Sequence, residues 1–253
     1  MSTWFPTILT VAVTVIFLVW ERLVPGRELP NSKGWYGRAL LVNLMQIGIT
    51  FGTNELWFKW LSGGSIWNIS GWNSVMQGFF GWFISTFLFY WWHRIRHAKG
   101  FWVVFHQVHH SPQRIEALTT FYKHPVEIAS DAIIIALLMY PVLGSTLEGA
   151  FWLNFFAATA AFFYHSNIRT PKWVKYFIQT PELHSIHHQL NVHRYNYADL
   201  PIWDRMFGTY KDTDDFVEQC GFPRNNERKL WKMIIFKDVY NDKDPEAQIK
   251  KES

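Results

Sequence analysis

Five stretches of this chain carry no charged residue: 1–20, 39–54, 61–92, 132–147 and 149–164. A helix crosses the roughly 30 Å hydrocarbon core of a bilayer with about twenty apolar residues. In lipid, a helix also satisfies its own backbone hydrogen bonds. The first run and the 75–92 half of the third are therefore predicted transmembrane helices. The second reaches spanning length by taking in Glu55 or Lys59. The last two runs hold sixteen residues each, are parted by Glu148 and contain Pro141 and Gly144 near the break. They read as a tight hairpin of two short helices, with a re-entrant loop as the alternative. The first run has no basic start, so it reads as a retained anchor and not as a cleaved signal. A mean hydropathy of −0.05 hides this pattern because the charges are crowded between the runs. The expected fold is all-α: a multi-pass integral membrane protein with four or five hydrophobic helices and a cytoplasmic histidine-rich cap.

Sidedness follows from the basic residues. Arg22, Arg27, Lys33 and Arg38 separate runs one and two, whereas Lys59 alone lies between runs two and three. Loops rich in Lys and Arg stay in the cytoplasm, which puts the N-terminus outside and the end of the third run, at Trp91 and Trp92, inside. Trp4, Trp20, Trp57, Trp60 and Trp72 also lie near run ends, where indoles favour the headgroup layer. A hairpin returns the chain to the side it left, so segments before and after it share the cytoplasmic face. The net charge of +4 and pI near 9.1 suit a surface against anionic headgroups, and no nucleic-acid partner is needed to explain them. A single cysteine, Cys220, excludes an internal disulfide.

All eleven histidines lie between positions 93 and 193. His93 and His97 form HxxxH; His106, His109 and His110 form HxxHH; His184, His187 and His188 repeat HxxHH. On a helix, positions i, i+3 and i+4 share a face, so each box is expected to aim two or three imidazoles at one point. Neutral imidazole is a good ligand for first-row metals, and eight boxed histidines exceed what one ion holds and suit two. Haem needs only one or two axial histidines. The HExxH of common zinc proteases is absent from the sequence. His165 ends the fifth run at the depth of the boxes and is a further candidate ligand. His124, in FYKHPVE, is a ligand, a support for one or a headgroup contact, while His193 belongs to no box and reads as structural or exposed.

Three boxes interrupted by a membrane hairpin resemble the fatty acid hydroxylase and sterol desaturase superfamily of histidine-box di-iron enzymes. HHSPQRIEALTTFYKHPVE, YHSNIRTPKWVKYFIQTPELHSIHH and NYADLPIWDRMFGTY carry the resemblance, which covers about 82–210. It implies that His93, His97, His106, His109, His110, His165, His184, His187 and His188 hold two iron ions, with zinc able to replace iron in overproduced protein. His124, Asn196 and Asp204 are additional candidates, as ligands or as supports for ligands. Arg169 stands where some members have a further ligand, and Ala198 where glycine often follows Asn-Tyr. The implied activity is hydroxylation or desaturation of an unactivated C–H bond of a membrane lipid with O₂. The alternative is a non-oxidative metal protein, a membrane zinc hydrolase or a metal transporter.

Oxygen activation needs electrons, and the chain has no dinucleotide fingerprint or iron–sulfur cysteine set. An external donor, a b-type cytochrome or a ferredoxin with its reductase, is expected to dock near Arg94, Arg96, Lys99 and Arg114. The organisation read from sequence is 1–92 for N-terminal helices, 93–210 for the histidine region with a hairpin at about 126–164, and 211–253 for a polar C-terminal segment. Within the last, LWKMIIFKDVY is amphipathic and suits the membrane interface or the catalytic face. The end, NDKDPEAQIKKES, reads as a solvated tail, its KKES matching a dilysine signal only weakly. The expected location is a bacterial inner membrane, or the endoplasmic reticulum in a eukaryote.

Overall fold

A computed structural model describes residues 4–240; the charged tail and its KKES lie outside the described residues. The order of elements is α1 (Trp4–Leu23), α2 (Trp35–Leu61), α3 (Ser74–Arg96), α4 (Lys99–Phe101), a π-helical turn (Trp102–His106), α5 (Gln107–His110), α6 (Pro125–Leu137) running into a second π-helical turn (Leu138–Val142), α7 (Leu147–His165), α8 (Pro181–His187), α9 (Pro201–Met206) and α10 (Leu230–Ile234). Among the described residues there is no strand, and the single β-bridge joins Gln189 to Cys220.

Among the described residues, two stretches, Trp4–Leu23 and Pro125–Val142, are long and apolar enough to cross a membrane. The outward faces are apolar: Ile8, Val15 and Val19 on α1 and Leu44 on α2 are all exposed, as a bilayer-facing surface requires. The hairpin forms as two helices, and α6 starts at Pro125, beside the expected start at about 126 and ahead of the charge-free run. Charge pairing makes this possible: Glu127 and Asp131 are matched by Arg96 and Lys123. Pro125 at the first turn and a bond from Val126 N–H to the His124 imidazole start this helix. Pro141 ends it, Gly144 turns the chain at φ 63°, and Thr146 caps α7.

The long helices form two slabs. In one, α7 lies between α1 and α3; in the other, α2 lies along α6. The α3/α7 seam is close because Gly78 has no side chain: a Cβ there would collide with the backbone and Cβ of Trp152. No packed seam joins α1 to α2 or α6 to α7. The slabs are tied at one end by residues 66–69, which bond the 141–143 carbonyls, and by Ile69, Met139, Tyr140, Leu143 and Leu153. At the other end lies the cap, where Trp35, Val108, Tyr122, Phe222, Leu230 and Met233 pack together. In the amphipathic C-terminal stretch Leu230 and Met233 are buried in this cluster, whereas Trp231, Ile235 and Phe236 are exposed.

Candidate metal centre

The structure brings the nine histidines into two groups. His93, His97, His106, His110 and His187 form one; His109, His165, His184 and His188 form the other. Within each group the ligand atoms lie within 4.8 Å of one another. The boxes do not each aim at one point, as the helical spacing predicts. In both HxxHH boxes the i and i+4 residues share a group and the i+3 residue crosses to the other: His106 and His110 against His109, and His184 and His188 against His187. The helices here are short and irregular. His106 closes a π-helical turn, and His188 is the C-cap of α8.

On four of the rings a hydrogen bond at the far side fixes which nitrogen faces inward. A carbonyl only accepts, so Nδ1 of His93 donates to Tyr197 O at 2.7 Å, Nδ1 of His187 to Tyr195 O at 2.7 Å, and Nδ1 of His165 to Ala161 O at 2.8 Å. Nδ1 of His106 donates to Glu127 Oε1 at 2.9 Å, an oxygen that also accepts from Arg96. With the ring protons held there, the inward Nε2 atoms carry lone pairs. Yet Nε2 of His93 and Nε2 of His106 are 2.8 Å apart, and in the second group His165 Nε2 is 3.2 Å from His109 Nε2 and 3.1 Å from His184 Nε2. The facing lone pairs of His93 and His106 repel unless a cation lies between them, whereas in the second group only the His165 tautomer is fixed by a bond. Metal–nitrogen bonds of about 2.1 Å set ligand atoms about 3 Å apart at right angles and about 4.2 Å apart across an ion, so both groups fit a metal. Among the described residues, His97 Nε2, both nitrogens of His110 and Nε2 of His187 are buried with no hydrogen-bond partner.

The groups are also chemically prepared. Burial, reinforced by neighbouring imidazoles, holds His97, His109, His110, His184 and His188 well below the ordinary histidine pKa. Burial takes His187 down to about 3 against the opposing pull of the Tyr195 carbonyl. These rings are neutral at pH 7, the form that binds metal.

A family model described as fatty acid hydroxylase matches residues 78–209. The chain belongs to the fatty acid hydroxylase family. Its similar proteins include very-long-chain aldehyde decarbonylase GL1-6 of Oryza sativa subsp. indica, 29% identical over 151 residues that cover 53% of this chain and 23% of that protein. Ornithine lipid hydroxylase OlsE of Rhizobium tropici is 29% identical, covering 55% of this chain and 43% of the relative. Alkylglycerol monooxygenase of Danio rerio is 30% identical, covering 51% and 29%. The chain thus matches less than half the length of each of these relatives. No solved structure matches it.

The other candidates of this fatty acid hydroxylase domain lie around the groups, not in them. His124 caps α6 and donates from Nε2 to Ile234 O at 3.1 Å, so it ties α6 to α10. Asn196, at φ 54°, donates to Leu183 O and Lys211 O and accepts from Lys211 N–H. Asp204 accepts from Tyr197 N–H, Ala198 N–H and the Thr209 hydroxyl, and burial raises its pKa to about 6. Both residues shape the loop whose Tyr195 and Tyr197 carbonyls orient His187 and His93. His193 is neither in a group nor fully exposed: it packs on His110 and Trp102, with ring centroids 5.1 and 5.2 Å away. Arg169 pairs with Asp215 at the surface. Arg96 is buried against Glu127, so it is unavailable to a docking partner, whereas Lys99 is exposed. Sequence reasoning missed Glu127 as a support for His106; its only signal was an acid beside the histidine of FYKHPVE.

Between the slabs runs a cleft of about 660 Å³ that reaches the centre at His93, His106, His109, His165 and His184. Ile128, Ala132 and Ile135 of α6 and Ala157, Ala158 and Phe162 of α7 give it apolar walls. Its volume falls in the range of pockets that enclose a small organic molecule. Beside the centre, the Tyr164 hydroxyl donates to Asp199 at 3.0 Å, and Lys123 pairs with Asp131 at 3.0 Å.

Proposed function

We propose that this protein is a multi-pass membrane oxygenase that hydroxylates, or desaturates, an unactivated C–H position of a lipid with O₂. In this reading the five-histidine and four-histidine groups each hold one iron ion. Non-haem iron with open coordination positions activates O₂. The observation that carries the reading is the cleft: an apolar passage between two helix slabs ends at His93, His106, His109, His165 and His184, which belong to both histidine groups. A zinc hydrolase or a transporter gives no reason for such a passage, and a transporter places its polar ligands within the spans. The chain's own residues bind the lipid tail along α6 and α7, exclude bulk water from the centre and hold His93, His106, His165 and His187 in the metal-binding tautomer.

By the distribution of Lys and Arg the centre faces the cytoplasm. Electrons come from an external donor, a b-type cytochrome or a ferredoxin with its reductase, docking near exposed Lys99. The test compares lipids of cells making the wild type or His109→Ala by mass spectrometry. It is paired with reductant-dependent O₂ consumption by iron-loaded protein. An oxidised lipid that vanishes with His109→Ala, and O₂ uptake that needs iron, support the reading. Identical lipid profiles and no uptake with several donors would sink it.

A further inference from the structure

Far from the histidines, the cleft has a polar ring. We propose that the cleft selects a lipid bearing a neutral hydrogen-bonding group, a hydroxyl or an amide, about 16 Å from the carbon presented to the centre, and that Thr10, Asn54 and Asn154 hold that group. The proposal deepens the oxygenase reading and rests on it.

The depth comes from three helices independently. On α7, Asn154 lies eleven residues before His165, a member of the four-histidine group. On α1, Thr10 lies eleven residues before Glu21, whose carboxylate accepts from Ala117 N–H and Asn167 N–H at the cap. On α2, which runs the other way, Asn54 lies eleven residues after Asn43, whose amide donates to Leu118 O beside Ala117. Eleven residues are about three helical turns and about 16 Å, so each residue keeps the face of its anchor. All three line the same cleft.

These side chains are not glue between helices. Among the described residues neither the Asn54 nor the Asn154 amide has a hydrogen-bond partner, and the Thr10 hydroxyl donates only to Pro6 O of its own helix, leaving its lone pairs free. Nearer the centre, Gln46 bonds Thr50 but keeps a buried Oε1 without a donor. Amides without partners in an apolar span are unfavourable unless a ligand satisfies them. The chemistry of the ligand follows from charge. The charged residues lining the cleft, Arg96, Lys123, Asp131 and Asp199, are all at the centre end. A carboxylate or phosphate at the ring would meet no cation, whereas carboxamides donate and accept and so suit a hydroxyl or an amide.

The experiment uses the full chain in nanodiscs and measures binding, not turnover, of hexadecan-1-ol, hexadecanamide, hexadecanoate and hexadecane by native mass spectrometry. The alcohol and the amide are expected to bind about tenfold tighter than the other two, the worth of one or two buried hydrogen bonds. The Asn54→Leu/Asn154→Leu variant is expected to bind all four alike. Equal binding by the wild type, or a preference that survives in the double variant, would overturn the proposal. The wild-type comparison decides the matter even where the variant does not fold. Reductant-dependent O₂ uptake is measured on the same samples: turnover without preference defeats this proposal alone, and preference without turnover defeats the oxygenase reading alone.

Discussion

Glu127→Gln tests how the centre is held together. Glu127 is buried; its Oε1 accepts from His106 Nδ1 at 2.9 Å and from Arg96, and Lys123 lies 4.0 Å away. Glutamine keeps the shape and loses the charge. A neutral amide oxygen accepts the His106 ring proton more weakly than a carboxylate, and an amide nitrogen turned toward it cannot accept at all, so in either orientation the tautomer that points Nε2 inward is held less firmly. Removing such a partner lowers metal affinity about 10–100-fold, or about 1.4–2.7 kcal/mol. Arg96 keeps a counterion in Asp131 at 3.4 Å, so the fold is expected to survive. The assay is metal content with chelator competition in nanodiscs, where the wild type is expected to titrate in two phases. Orientation acts on the five-histidine group, which contains His106, so one phase is expected to shift and the other to stay. Equal weakening of both phases would mean that charge, not ring orientation, is what Glu127 supplies. Unchanged binding in a folded Glu127→Gln protein would refute the reasoning altogether.

Three further outcomes are expected. Metal-free protein loses stability as pH falls: His187 stays neutral when folded down to about 3, whereas an unfolded histidine takes up a proton near 6.5. Its contribution is therefore present above pH 6.5 and lost below it, at about 1.4 kcal/mol per pH unit, and an acid denaturation series without a slope between pH 6 and 4 would contradict it. Gly78→Ala places a methyl against Trp152 and is expected to cost about 1–3 kcal/mol, read as a lower temperature for loss of monodisperse protein. It should also lower metal content, because α3 and α7 carry His93 and His165. Asn196→Ala removes three hydrogen bonds of the loop behind His93 and His187 at a left-handed backbone position, and elemental analysis should show metal loss with helix content unchanged. Full metal retention would mean that the Tyr195 and Tyr197 carbonyls stay in place without it.

The candidate ligands were legible because imidazoles at i, i+3 and i+4 have few other uses, and nine rings at one depth need only the hairpin to meet. Their division into two groups was not. It depends on the π-helical turn at Trp102–His106 and on His188 standing just beyond α8, and irregular helix geometry leaves little trace in spacing. The start of the hairpin, expected at about 126, falls at Pro125. What spacing did not show is how Glu127 and Asp131 are accommodated there, which needs Arg96 and Lys123 beside them. The supports of the rings were less visible still: backbone carbonyls such as Tyr195 O and Tyr197 O have no side-chain signature, and only the buried bonds of Asn196 and Asp204 show why that loop is rigid. The polar ring lies between these extremes. Thr10, Asn54 and Asn154 are ordinary residues in apolar runs, and on one helix each reads as tolerated polarity. They acquire meaning through a shared offset of eleven residues from three anchors at the cap, on helices that run in opposite directions. That coincidence is a property of the tertiary fold, and it is what turns scattered polar residues into a measure of distance along a bound lipid.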